Sequence, residues 1–263
     1  MAIIPNRMKQ SLLEGGTPVS FNVNRMHSPE VAAVAASCGY EWLFIDMEHS
    51  ALNTESAAAI CVAALGWGVT PVVRAASHAH FHATRLLDAG AQGIIVPHVD
   101  TVAQAKAVVD NCRYTPLGHR SLTRPNPQLA YGGGTIAEDI KLLNDNMLVI
   151  VMLETEEAIA NADAIAAVEG IDALLIGSND LAADFGIPGQ LGHERIDKAY
   201  AVAISAAKRH GKYLGMGGVY EPELMGKRIR QGVRFLQGGG DISFMIVAAK
   251  ERRAMLSNIL ESL

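Results

Sequence analysis

After its first apolar run the chain reads Asn22-Val23-Asn24-Arg25-Met26-His27. An open, doubly wound nucleotide-binding sheet places a glycine-rich phosphate turn at this point, and no glycine is present here. Working outward, apolar runs fit for strands recur at Val19–Val23, Trp42–Met47, Thr70–Arg74, Gly93–Pro97, Met147–Glu154, Ala173–Gly177, Lys212–Met216 and Arg234–Gln237. Between them lie alanine-rich amphipathic stretches of helical length: Ser28–Ser37, Thr54–Leu65, His80–Asp88, Thr101–Asn111, Glu156–Val168, Glu194–His210 and Glu221–Gln231. Short, continuously apolar strands alternating with helices need a parallel sheet covered on its outer face, and eight such units close into a (β/α)8 TIM barrel.

Composition limits what such a barrel is for. The 263 residues, 49% hydrophobic and 19% charged, suffice for one core, and no low-complexity linker divides them, so a single domain over residues 1–263 is expected. A net charge of −5 with scattered Lys and Arg gives no footprint for nucleic acid. No apolar run approaches the roughly 18 residues of a membrane span, and the start lacks a basic stretch followed by an apolar one, which predicts a cytoplasmic protein. Cys38, Cys61 and Cys112 lack CxxC spacing and read as reduced, buried thiols.

The ends of the strands carry the chemistry. Asp46-Met47-Glu48-His49, Arg74, Glu154 and Asp180 each follow an apolar run, where a barrel builds its site from the C-terminal ends of its strands. Glu154 and Asp180 come from successive strands, and two close carboxylates repel unless a positive charge separates them. A divalent cation with oxygen preference, Mg2+ or Mn2+ with Co2+ as a substitute, would satisfy both; helix capping is the plainer role for each acid alone. His49, near Asp46 and Glu48, has the makings of a general base, and Asp88, in Leu87-Asp88-Ala89-Gly90 before the fourth strand, is a further carboxylate that could orient a histidine. Arg74 in a barrel mouth needs an anionic partner, and a substrate oxygen is a natural one.

Other segments are set against plainer readings. The connection Arg113–Gly134 is long for a barrel and holds Arg120 and Arg124, which predicts a lid or interface segment whose arginines meet the distal part of the substrate. His78, His80 and His82 read as a solvated helix start, not as a metal site, and Gly238–Gly240 as a glycine turn before a helix from Asp241. That last helix repeats Phe244, Met245, Val247, Ala248, Met255, Leu256, Ile259, Leu260 and Leu263 at helical spacing, an apolar stripe that needs a partner and predicts a homo-oligomer.

These motifs together resemble the HpcH/HpaI aldolase family of metal-dependent, class II pyruvate aldolases. The resemblance rests on Asp46–His49, Arg74, Leu87–Ala91, Ile95–Pro97, Arg113–Arg120, Glu154-Thr155 and Gly177–Leu181. It implies a carbon–carbon lyase that reversibly cleaves a 4-hydroxy-2-oxo acid to pyruvate and an aldehyde. It further implies that His49 with Asp88 forms the base dyad, that Arg74 steadies the enolate and keto oxygens, and that Glu154 and Asp180 hold the metal. Backbone N–H groups from Gly177 through Ser178, Asn179 and Asp180 would receive the pyruvate carboxylate, and exchanged C-terminal helices would build a hexamer. One departure is Met152, where the family often has a glutamine; Thr115 and Ser121 are two more in the long connection.

A Schiff-base lysine is the rival strategy, yet none of the eight lysines ends an expected strand. Oxaloacetate decarboxylation, citrate-type condensation or acyl-CoA cleavage at the same site, and a catalytically silent binding barrel, are the other functions weighed.

Overall fold

The computed structural model describes residues 3–263, with the side chains at positions 80 and 81 outside that description. Eight parallel strands close in strict chain order: β1 Val19–Val23, β2 Trp42–Asp46, β3 Thr70–Arg74, β4 Gly93–Val96, β5 Leu148–Leu153, β6 Ala173–Gly177, β7 Tyr213–Gly217 and β8 Phe235–Gly240. The helices are α1 Arg7–Leu13, α2 Val31–Ser37, α3 Thr54–Trp67, α4 His80–Asp88, α5 Val102–Cys112, α6 Ile136–Asn146, α7 Glu156–Ala160, α8 Ala162–Ala166, α9 Ser178–Asp184, α10 Glu194–Arg209, α11 Pro222–Gln231 and α12 Asp241–Glu261. The expected TIM barrel is therefore the fold.

Alternation along each strand separates two cores. Outward residues such as Phe21, Val23, Leu43, Ile45, Val73 and Ile94 pack beneath the helices. Inward residues Trp42, Phe44, Val72, Ile95, Leu148, Ile150, Met152, Leu175 and Phe235 fill the barrel, and Met8 and Leu12 of α1 complete that cluster. Met8 donates its backbone N–H to Thr70 Oγ1 at 3.0 Å, at the start of β3, so α1 plugs the N-terminal end of the barrel.

The structure departs from expectation at several points. Helices α1 and α6 lie outside the stretches expected to be helical, α9 begins at Ser178 with Asp180 in its first turn, and the expected helix Glu156–Val168 divides at Asn161 into α7 and α8. Gly238–Gly240 belong to β8 and form no separate turn; a Cβ at Gly238 would stand 2.6 Å from Ser20 O, so only glycine lets β8 lie this close to β1. Cys61 and Cys112 are buried, but Cys38 is exposed where α2 ends. His78 places Nε2 against the carbonyl of Pro97 instead of facing solvent alone, while the side chain of His80 lies outside the described residues. Among the described residues no helix is long and apolar enough to cross a membrane.

Candidate active site

Above Phe44 and Met152 the apolar filling of the barrel gives way to polar side chains. They surround a cavity of about 280 Å³ at the C-terminal mouth, lined by Asn22, Asn24, Asp46, His49, Arg74, Gly177, Ser178, Asn179, Asp180, Tyr220 and Gln237 together with those two apolar residues. A larger groove of about 800 Å³ adjoins it at Tyr220 but lacks the acids of the mouth that end β2, β5 and β6.

Asp46 and Arg74 are register partners on β2 and β3, so their side chains leave the sheet side by side. Arg74 donates Nε and Nη2 to the two oxygens of Asp46 at 3.0 and 2.7 Å, and its Nη1 lies 2.8 Å from Glu48 Oε2. Asn24 Nδ2 adds a donor to Asp46 at 2.9 Å, and the backbone N–H groups of Glu48 and His49 donate to its other oxygen. Burial pushes the Asp46 carboxyl up, but the hydrogen bonds and charge of Arg74, with those two N–H groups, outweigh it and hold the carboxyl below the ordinary aspartate range. The anionic partners of Arg74 are thus Asp46 and Glu48 of its own chain.

Asp241, at the start of α12, secures the same corner from outside. Its Oδ2 accepts the backbone N–H groups of Asn24, Arg25 and Met26 at 3.1, 2.8 and 2.7 Å, which fixes the turn after β1 and aims Asn24 at Asp46.

Across the mouth, Glu154 follows β5 and is almost wholly buried. Its Oε2 accepts the backbone N–H of His98 at 2.8 Å, and the ring Nδ1 of His98 lies 3.4 Å away. A Cβ at Gly177 would come within 2.5 Å of Glu154 Oε1, so glycine is what lets this carboxylate lie against the end of β6. Burial is the chief reason the Glu154 carboxyl titrates above the usual glutamate range; Asp180 and Glu48 push it further, and His98 partly offsets them. A buried carboxylate facing a second one across adjacent strand ends fits a hard cation with oxygen preference. Among the described residues no three His, Cys, Asp or Glu side chains converge as a ready-made cage.

His49 is well exposed, with Nε2 3.8 Å from Glu48 Oε2. It is not joined to Asp88 within one chain. Asp88 ends α4, which runs back toward the N-terminal end of the barrel, and there it accepts from Arg120 Nη2 at 2.6 Å while the Arg120 guanidinium stacks 4.5 Å from the Tyr114 ring. Arg124 pairs with the buried Asp139 at 2.8 Å. The long connection is anchored there as well, since Gln128 Nε2 donates to Leu87 O and Ala91 O and Gln128 O accepts from Ile4 N. Asp88, Arg120 and Arg124 therefore sit at the far end from their own chain's mouth, because α5 delivers the connection to that end.

His98, Asn24, Asp241 and Gln237 were missed from the sequence. His98 had a legible signal, a histidine directly after a strand like His49, and its φ of 51° places a non-glycine residue in the left-handed region beside the site.

The profile of the HpcH/HpaI aldolase/citrate lyase family matches residues 25–248. The chain belongs to that family. It is 38% identical over 245 residues to the 4-hydroxy-4-methyl-2-oxoglutarate aldolase of Chaetomium globosum, covering 91% of each chain. It is 33% identical to the hydroxypyruvate/pyruvate aldolase of Sagittula stellata over 97% of this chain and 99% of that one. The crystal structure of an HpcH/HpaI aldolase from Desulfitobacterium hafniense superposes with a TM-score of 0.89 at 27% identity, covering 97% of both chains. The expected carbon–carbon lyase of aldolase type is thus met.

The raised Glu154 carboxyl predicts how a cation acts on stability. As pH rises from the ordinary glutamate value through this raised one, the folded protein must ionise a buried acid beside Asp180, and stability falls. A divalent cation held by Glu154, as proposed below, would remove that penalty. The rise in thermal midpoint caused by Mn2+ should therefore be larger near about pH 8 than near about pH 5, and Glu154→Gln should abolish the difference. A midpoint shift independent of both pH and Glu154 would contradict the assignment.

Proposed function

We propose that this chain reversibly cleaves a 4-hydroxy-2-oxo acid to pyruvate and an aldehyde, using Mg2+, Mn2+ or Co2+ held by Glu154 and Asp180. The observation that carries the reading is the buried Glu154 carboxyl, raised in part by Asp180, beside a cavity that Asp180 and the clamped Arg74 line. Breaking the bond between C3 and C4 leaves negative charge on the former keto oxygen, which must be stabilised as it develops. When bound, the cation supplies Lewis-acid polarisation of that oxygen. Arg74, already fixed by Asp46 and Glu48, contributes positive charge that needs no reorganisation during the reaction. Backbone N–H groups opening α9 at Ser178, Asn179 and Asp180 receive the pyruvate carboxylate, with Gly177 allowing close approach. His49 removes the proton from the 4-hydroxyl in cleavage.

Glu154→Ala and Asp180→Ala should each abolish cleavage and the exchange of pyruvate C3 protons with deuterium oxide, and chelation should do the same. Arg74→Ala should lower both reactions by about 10² to 10³ while leaving Mn2+ affinity in place, and His49→Ala should slow cleavage more than exchange. Full activity after exhaustive chelation, or borohydride trapping of a lysine adduct with pyruvate, would overturn the metal-dependent reading.

We further assign the protruding α12 to a homo-oligomer, a hexamer in the form the resemblance implies. Its Phe244, Met245, Val247, Met255, Leu256, Ile259 and Leu260 are exposed in the single chain. Because Asp88 lies at the far end of its own barrel, its pairing with His49 requires the Asp88 of a second copy. Light scattering should give an oligomer, and mixing inactive His49→Ala with inactive Asp88→Ala should restore part of the activity in mixed assemblies. A full-length monomer with full activity would reject both assignments.

A further inference from the structure

Helix α9 opens without a cap of its own. Its N-cap residue is Gly177, which has no side chain to offer, whereas α3, α5, α6, α7 and α11 each receive a side-chain oxygen at that position. The contact with Glu154 described above excludes any side chain there. Ser178, Asn179 and Asp180, the first residues of α9, also line the mouth of the barrel, so whatever fixes them in place bears on the site.

A buried tyrosine does this from beneath. Tyr200, in α10, places its hydroxyl 2.8 Å from Ser178 Oγ. Both residues are fully buried within the single chain, and among the described residues neither hydroxyl has another hydrogen-bond partner. A second copy of the chain at the mouth therefore neither completes nor screens this pair. The tyrosine ring is held in turn by Arg228 of α11, whose guanidinium carbon stands 4.2 Å from the ring centroid. Arg228 is itself wholly buried. Its Nη1 lies 2.7 Å from Asp197 Oδ1 and 3.1 Å from Gln231 Oε1, and its Nη2 donates to Leu191 O at 3.3 Å. Lys227 Nζ holds the other oxygen of Asp197 at 2.6 Å. Burial pushes the Tyr200 phenol well above its ordinary value, so the hydroxyl keeps its proton and its link to Ser178 is a neutral hydrogen bond.

We propose that Tyr200 is a positioning residue for Asp180: its hydroxyl, through Ser178, sets where the first turn of α9 presents that carboxylate to the divalent cation. The inference rests on the aldolase reading above, in which Asp180 and Glu154 hold the cation. Ser178 follows directly on the glycine that lies against Glu154 and precedes Asp180 by two residues, so a shift at Ser178 alters the spacing of the two acids. Without the phenol, the Ser178 hydroxyl is a buried polar group with no partner, and such a group is costly enough that the turn moves to satisfy it. Groups that stand behind metal ligands act in this way, and their loss typically lowers metal affinity about 10- to 100-fold.

The test is the Mn2+ affinity of the full-length protein, titrated without substrate, in Tyr200→Phe, in Ser178→Ala and in the double variant. Tyr200→Phe should weaken Mn2+ binding about 10-fold, and Ser178→Ala should weaken it in like measure. The double variant should lose no more than either single one, because both remove the same bond. A tyrosine that served stability alone would lower the thermal midpoint of the metal-free protein and leave Mn2+ affinity where it was. Unchanged affinity in both folded single variants, or losses that multiply in the double one, would overturn the inference; if Tyr200→Phe does not fold, Ser178→Ala decides by the same criterion. Asp180→Ala separates this from the reading beneath it. Weaker Mn2+ binding in Asp180→Ala with unchanged binding in Tyr200→Phe and Ser178→Ala removes the inference alone, whereas Asp180→Ala without effect removes the metal assignment and the inference together.

Discussion

A buried guanidinium at the top of β3 is the constraint on which the mouth of this barrel depends. Leaving Arg74 there unpaired is prohibitively costly, and removing one partner from a buried charged pair costs more than the pair itself contributes. Asp46 meets it through two parallel hydrogen bonds, a geometry available because the two residues are in register on neighbouring strands. Glu48 holds the remaining end and also lies 3.5 Å from His98, so the clamp reaches the loop after β4 and, through it, Glu154. Asp241 and Asn24 tie the same clamp to the first turn of α12. One connected set of charges and hydrogen bonds thus joins the helix that projects from the barrel to the acids of the mouth.

This arrangement separates two demands that conflict in a small cavity. In the proposed reaction a positive charge stands ready for an oxyanion, and two acids stay close enough to share a cation. With Arg74 held on Asp46 and Glu48, the Glu154 carboxyl stays desolvated beside Asp180 and titrates above the usual glutamate range, so a cation would have to displace a proton to reach it.

Most of the strand order was legible because the rules that mark it are local. Apolar runs such as Thr70–Arg74 and Ala173–Gly177 end at the residues expected from sequence, and Asp46, Arg74, Glu154 and Asp180 declare themselves by interrupting a run with charge. Helix α1 was not legible, since its seven residues carry too short an apolar pattern and become stable only by plugging the barrel with Met8 and Leu12. The glycines of β8 looked like a turn because the close approach of β1 that requires them is a tertiary fact. Asp88 and the two arginines of the long connection were legible as residues but not in their place: α4 and α5 carry them to the other end of the barrel, away from the His49 of the same chain. Asp241 could not be read as part of the site, because its partners are backbone groups more than 200 residues away.

The claim that Arg74 acts by being held in place is tested most directly by Asp46→Asn, which keeps the shape of the side chain and removes its charge. With the folded variant saturated with Mn2+, the rate of deuterium incorporation at pyruvate C3 should fall roughly 100-fold, as misplacement of a reacting group by about an ångström does elsewhere, while Mn2+ affinity stays close to that of the unmodified protein. Exchange at the unmodified rate, or a loss of Mn2+ affinity as severe as that of Glu154→Gln, would contradict the account.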